Sequence, residues 1–390
     1  MSSPEPPPAT PERPRPGARR AAPAPRAPRS ERRAARAAKE REGISPVLEG
    51  VVEEAVAAAE NATVGERLRG RASRLGAWWL LVAGGLALLV AGGTGVAPAW
   101  AEGVGAVVVT VAYTWALAAR TGGRPVVFGT LAGLIGVVVL VADTQTLSTG
   151  AAVMTCTVGA VLGVMATVPA RRFLHAVREV LVALALSGVA AVAAVGYAPT
   201  VSLVRFEYTT LALSFLVVLA LVYRLGAGLH GLGRRGIIAV VVGLLVLAVI
   251  LAYAETLRRY GASSIVGTVL DSATWMLDTI GGVPRPIQAV LGVPALAWGV
   301  YMRARRRQGW WLCSFGVAAT APVANGVMNP SATLLEAFLS VVYSLVIGLA
   351  VAYVAIRVDL ALTGSRGSRA RRDEERSAVR PEPSRARPLL

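Results

Sequence analysis

Few side chains in this chain could do chemistry inside an apolar environment, and Glu336 is the clearest of them. It falls a few residues into the last long apolar run, near Thr320, Pro322, Asn325 and Asn329 of the run before it. An ionisable residue within a hydrophobic segment marks an ion or substrate pathway by default, because its burial is expensive. Pro322 has no N–H to donate, so with amides nearby it allows a local break in a helix. Pro294 interrupts the preceding run near its middle in the same way. Broken helices border the substrate site in many transporters. Pro294, Pro322, Asn325 and Glu336 are therefore the substrate-binding candidates. A plainer reading stands beside this one: Pro322 is an ordinary kink, and Glu336 reaches water at a helix end.

Other chemistries find little support. Hydrolysis and group transfer need clustered acids, bases or metals. The two histidines, His175 and His230, are isolated, and the single lysine is Lys39. No G-x-x-x-x-G-K-[ST], H-E-x-x-H or G-x-S-x-G motif occurs. Cys156 and Cys313 both lie in apolar segments, where cysteine behaves as a small hydrophobe, and no Cys/His spacing suits a metal. The chain is expected to be no enzyme, with no catalytic residue, metal or cofactor.

The elements that must carry these residues are membrane helices. Of the 390 residues, 54% are hydrophobic and only 16% charged, against a charged fraction of roughly one quarter in soluble proteins. Ten apolar runs are legible, at about 76–93, 100–119, 125–142, 151–169, 179–198, 208–225, 236–254, 286–302, 310–328 and 333–356. Each is of the order needed to cross about 30 Å of hydrocarbon at 1.5 Å per residue. They are apolar on every side, which excludes the alternating strands of a β-barrel. The predicted fold is all-α, a transmembrane bundle of about ten spans over residues 76–356. Small residues recur near four-residue spacing in "AGGLALLVAGG", "TLAGLIG" and "TVGAVLG", a pattern that favours close helix packing.

The net charge of +17 raises nucleic acid as a partner, but the arginines occur in short clusters between apolar runs, so none is expected. With both termini cytoplasmic, Arg120, Arg124, Arg171, Arg172, Arg178, Arg224, Arg234, Arg235, Arg303, Arg305, Arg306 and Arg307 fall in inner loops. Only Arg205, Arg258, Arg259 and Arg285 fall outside. That asymmetry follows the positive-inside rule. Within "YMRARRRQGWW", Arg303, Arg305, Arg306, Arg307, Trp310 and Trp311 read as a topological anchor in contact with lipid, including anionic head groups.

Residues 1–45 are rich in Pro, Ala and Arg and poor in large apolar side chains, the composition of a disordered cytoplasmic tail. Residues 46–75 read as a short amphipathic juxtamembrane helix, with Ser45 as N-cap and Pro46 at its first position, followed by a basic linker. The first apolar run is trailed by Ala99-Trp100-Ala101, an A-x-A pattern. The 75 residues before it are too long for an ordinary secretion signal. "SSIVGTVLDSATWMLDTI" has helical apolar spacing and is expected to form an outer interfacial helix at 264–280. Residues 357–390 read as a second basic disordered tail.

"LGAGLHGLGRRG" (225–236), "PALAWGVYMRARRRQGWW" (294–311) and the stretch 359–390 resemble a group of uncharacterised polytopic integral membrane proteins of actinobacteria. The resemblance implies a bacterial plasma-membrane protein and implies no activity. Two function classes follow from the residues. One is a permease or flippase-like transporter of a weakly charged or lipidic substrate. The other is a non-catalytic scaffold or accessory subunit that holds membrane-protein partners or anionic lipids through its basic loops and tails.

Overall fold

The computed structural model of the protein describes residues 73–227, 233–260, 263–305, 309–363 and 382–389. The juxtamembrane segment 46–72 and the residues Arg306 and Arg307 lie outside these. Among the described residues every regular element is helical.

The helices are α1 (Ser73–Gly93), α2 (Trp100–Arg120), α3 (Pro125–Ala142), α4 (Gln145–Met165), α5 (Phe173–Val195) and α6 (Leu203–Val222). They continue as α7 (Gly233–Tyr260), α8 (Ser263–Ile280), α9 (Val293–Arg303), α10 (Gly309–Ser314), α11 (Val317–Val327) and α12 (Leu334–Thr363). A π turn, Tyr223–Ala227, closes α6, and another, Ile287–Gly292, opens α9. Each apolar run of the sequence has thus become helix.

Among the described residues, seven helices are long and apolar enough to cross a membrane: α1 to α6, the sixth running to Leu225, and α12. The other three apolar runs differ. The apolar part of α7 is the shorter stretch Val240–Tyr253. The run at 286–302 is a π turn followed by only eleven α-helical residues. The run at 310–328 is cut at Phe315–Gly316 into α10 and α11. Proline accounts for part of this, since Pro294 at the start of α9 cannot donate to the turn before it.

The surface agrees with a lipid environment. Val126, Val127, Phe128, Leu131, Leu134 and Ile135 along α3 are all exposed, a contiguous apolar face that soluble monomers rarely carry. The interior is built from α4, α5, α6, α9 and α11 around Val161, Val180, Val218, Leu296 and Ala319. Close approach needs small residues at the contacts. A Cβ on Gly163 of α4 would stand 2.7 Å from the Ala183 carbonyl oxygen of α5. One on Gly292 would collide with the Ala318–Ala319 backbone of α11.

Polar side chains knit these helices at mid-height. Ser187 of α5 donates to the Thr320 carbonyl of α11 at 2.6 Å, and the Thr320 hydroxyl donates to Ala160 of α4 at 3.1 Å. Thr110 of α2 meets Thr155 of α4 at 2.9 Å and the Tyr197 hydroxyl at 3.0 Å. Of the expected tail 357–390, residues 357–363 and 382–389 are described. Helix α12 continues to Thr363, and Glu382–Leu389 lie against the bundle.

Candidate functional site

The polar residues of α11 face a strip of partners at the end of the bundle where α6 and α12 begin. Three contacts climb the helix in order. Gln288 of the π turn donates through Nε2 to the Ala319 carbonyl at 2.7 Å. Arg285, just before that turn, donates through Nη1 to the Pro322 carbonyl. Asn325 donates through Nδ2 to Glu207 Oε2 of α6 at 2.9 Å. Each contact draws on a different segment, and α11 carries the common register.

The break between α10 and α11, the proline inside α11 and the π turn before α9 all border this strip. Irregular backbone at that depth is tolerated where it is buried in protein or lines a cavity. The π turn brings both Arg285 and Gln288 onto α11, and Gly292 at its end lets the two backbones touch.

Burial pulls the Arg285 guanidinium below its ordinary range, and Glu207 and Glu336 push it back up. Two acceptors remain open: Gln288 Oε1 and Asn325 Oδ1 are buried and have no hydrogen-bond partner among the described residues. A buried acceptor without a donor is costly, by about 1–3 kcal/mol. The site is therefore chemically suited to a group that brings N–H or O–H donors, beside one carboxylate and one guanidinium.

The four residues expected from the sequence take different places. Asn325 is within the cluster, and Pro322 contributes through its carbonyl oxygen. Glu336 is half-buried at the start of α12 and acts on Arg285 through its charge. Its backbone N–H donates to Thr333 Oγ1 at 3.1 Å, so the threonine caps the start of α12. Pro294 is fully inside the packing of α9 and makes no polar contact with the cluster. Glu207, Arg285 and Gln288 are the three members that sequence reasoning misses.

The residues expected to face lipid also differ. Arg303 is 0% exposed, and its guanidinium stacks on the Trp310 ring 3.5 Å from the centroid. Trp310 and Trp311 are buried as well. Arg303 finds its counter-charge inside the protein, in Glu382. Arg305 is half-buried over the Tyr301 ring, at 3.9 Å. Among the described residues no group of three or more His, Cys, Asp or Glu stands together as a metal would require. Comparison of the chain with protein-family models, curated proteins and solved structures finds no match.

Proposed function

We propose that this is a non-enzymatic, multi-pass membrane transporter, permease or flippase-like, for a weakly charged or lipidic substrate that carries hydrogen-bond donors. The observation that carries the reading is the α11 strip. There a carboxylate, a guanidinium and two unfilled acceptor oxygens converge beside interrupted helices. In an apolar bundle such groups are retained for a pathway more readily than for stability, because apolar replacements would pack at lower cost. On this reading the three remaining apolar runs complete ten crossings with both termini cytoplasmic, in a bacterial plasma membrane. The arginine asymmetry supports that orientation.

The scaffold reading has less in its favour. It needs the basic loops and tail free to hold partners or anionic lipid, whereas Arg120, Arg303 and Arg385 are engaged within the chain. The tight middle of the bundle fits a transporter in its closed state, with α9 and α11 as the pair that must part.

The test is lipid movement in proteoliposomes. The probe is phosphatidylethanolamine labelled with NBD on an acyl chain, and dithionite bleaches the outer leaflet. The reading expects bleaching beyond the outer-leaflet half in protein-containing vesicles, and its loss in Glu207→Gln and Asn325→Ala. Bleaching equal in both variants and the native protein would refute a role for the cluster. Protein-free behaviour throughout would refute lipid as the substrate and leave small donor-bearing solutes to be assayed the same way.

A further inference from the structure

The opposite end of the bundle holds a second polar constellation, and it is wrapped around the chain's own last residues. Four helices contribute. Arg120 closes α2, the carbonyls of Met165, Ala166 and Thr167 lie at the end of α4 and just beyond it, Glu179 lies in the first turns of α5, and Arg303 closes α9. The side chains of Glu179 and Arg303 are 1% and 0% exposed. An isolated charge at such depth is strongly disfavoured, so each must be paired.

Residues 382–389 supply a partner to each, and Arg178 supplies a second one to Glu179. Glu382 Oε2 accepts from Arg303 Nη2 at 2.5 Å, while Arg303 also donates to Thr167 Oγ1 at 2.8 Å. Arg385 Nη2 donates to Glu179 Oε2 at 2.6 Å, and Arg385 Nε donates to the Ala166 carbonyl at 3.0 Å. Glu179 accepts further bonds from the Val168 amide at 2.9 Å and from Arg178. The peptide backbone is read as well. Arg120 Nη1 donates to the carbonyls of Ser384 and Arg387 at 2.8 and 2.6 Å, and the Leu389 amide returns a bond to the Arg120 carbonyl at 2.8 Å. The Leu389 side chain packs on the main core.

We propose that this end of the bundle is a peptide-binding site, and that the segment Glu382–Leu389 is its exchangeable resident ligand. The recognition has the marks of a receptor. Two opposite buried charges select an acid and an arginine three residues apart, one arginine holds two backbone carbonyls, and an apolar contact takes the leucine. Peptide recognition elsewhere divides in the same way between backbone bonds for affinity and pockets for specificity. The 18 residues from 364 to 381 join the ligand to α12. A chain of that length, fully extended, reaches on the order of 60 Å. While seated, the segment ties α2, α4, α5 and α9 together, and it acts as a latch on that end. The proposal is independent of the transport reading, and its test measures no transport.

A nitroxide on Ala386→Cys, an exposed position beside the two arginines, reports docking in the full chain, with the buried Cys156 and Cys313 left in place. The expected spectrum is immobilised. Adding the synthetic peptide EPSRARPLL should convert it to a mobile one, saturably. The same peptide with its Glu and first Arg both changed to Gln should require at least a tenfold higher concentration. Glu179→Gln should mobilise the label without peptide, and the conservative Glu179→Asp should restore much of the immobilisation. A label mobile in the native protein would overturn the proposal. So would one that stays immobile at millimolar peptide, since the segment would then be a fixed structural part. Equal displacement by both peptides would overturn the charge-reading specificity.

Discussion

Glu207 holds Asn325 and faces Arg285, so substitutions there separate structure from function. Glu207→Gln keeps an acceptor oxygen for Asn325 and is expected to change the melting temperature little while removing the negative charge. Glu207→Leu strands the Asn325 amide and should destabilise by about 1 kcal/mol, within the usual range for a lost polar partner. Thermal unfolding in detergent, run beside the flux assay, distinguishes the two. At mid-height, Ser187→Ala removes a 2.6 Å bond to Thr320. Membrane hydrogen bonds average about 0.6 kcal/mol in double-mutant cycles, so a small drop in melting temperature is expected and a collapse is not. Residue-level reading of the sequence found Asn325 and Pro322 because each is conspicuous inside an apolar run. It missed Glu207, whose partner lies 118 positions away. It also took Arg285 for a loop charge, because nothing local announces the carbonyl it meets. Arg303 was read as a surface anchor for the same reason. Its counter-charge is 79 residues downstream, in a stretch whose composition reads as tail.

At the scale of elements, the apolar runs predicted the helices well, since in lipid only a helix satisfies its own backbone. Where a helix breaks was less legible. Pro294 and Pro322 mark disturbances, but the cut at Phe315–Gly316 and the two π turns have no proline within them. The π turn at 287–292 lies between Pro286 and Pro294, and Gly292 at its end permits the close contact with α11. Gly292→Ala would ordinarily gain about 1 kcal/mol of helix propensity. Here the added carbon meets backbone that cannot yield, and overpacking of this kind costs about 1–3 kcal/mol. The variant should therefore melt below the native protein, and a rise in melting temperature would show that α9 and α11 are less intimate than described. Pro322→Ala acts oppositely. It returns an N–H to α11, so the helix should stiffen, with a higher melting temperature and slower flux.

For the molecule as a whole, the apolar exterior and interknit centre describe a polytopic helical bundle with differently charged ends. One end binds its own C-terminal segment through Arg120, Glu179 and Arg303. The other gathers Glu207, Arg285 and Asn325 around α11. The topology argued from arginine placement predicts that epitope tags at both termini are reached by antibody only after the membrane is permeabilised. A single exposed tag on intact cells would contradict ten crossings. A substrate pathway along the α11 strip must admit water as far as Asn325. Single cysteines at 325, at 160 in the packed middle and at 96 as an exposed control, in a variant lacking Cys156 and Cys313, test it with a membrane-impermeant thiol reagent. Labelling at 325 and 96 with protection at 160 is the result expected. Protection at 325 equal to that at 160, whichever face of the membrane is offered the reagent, would contradict the claim.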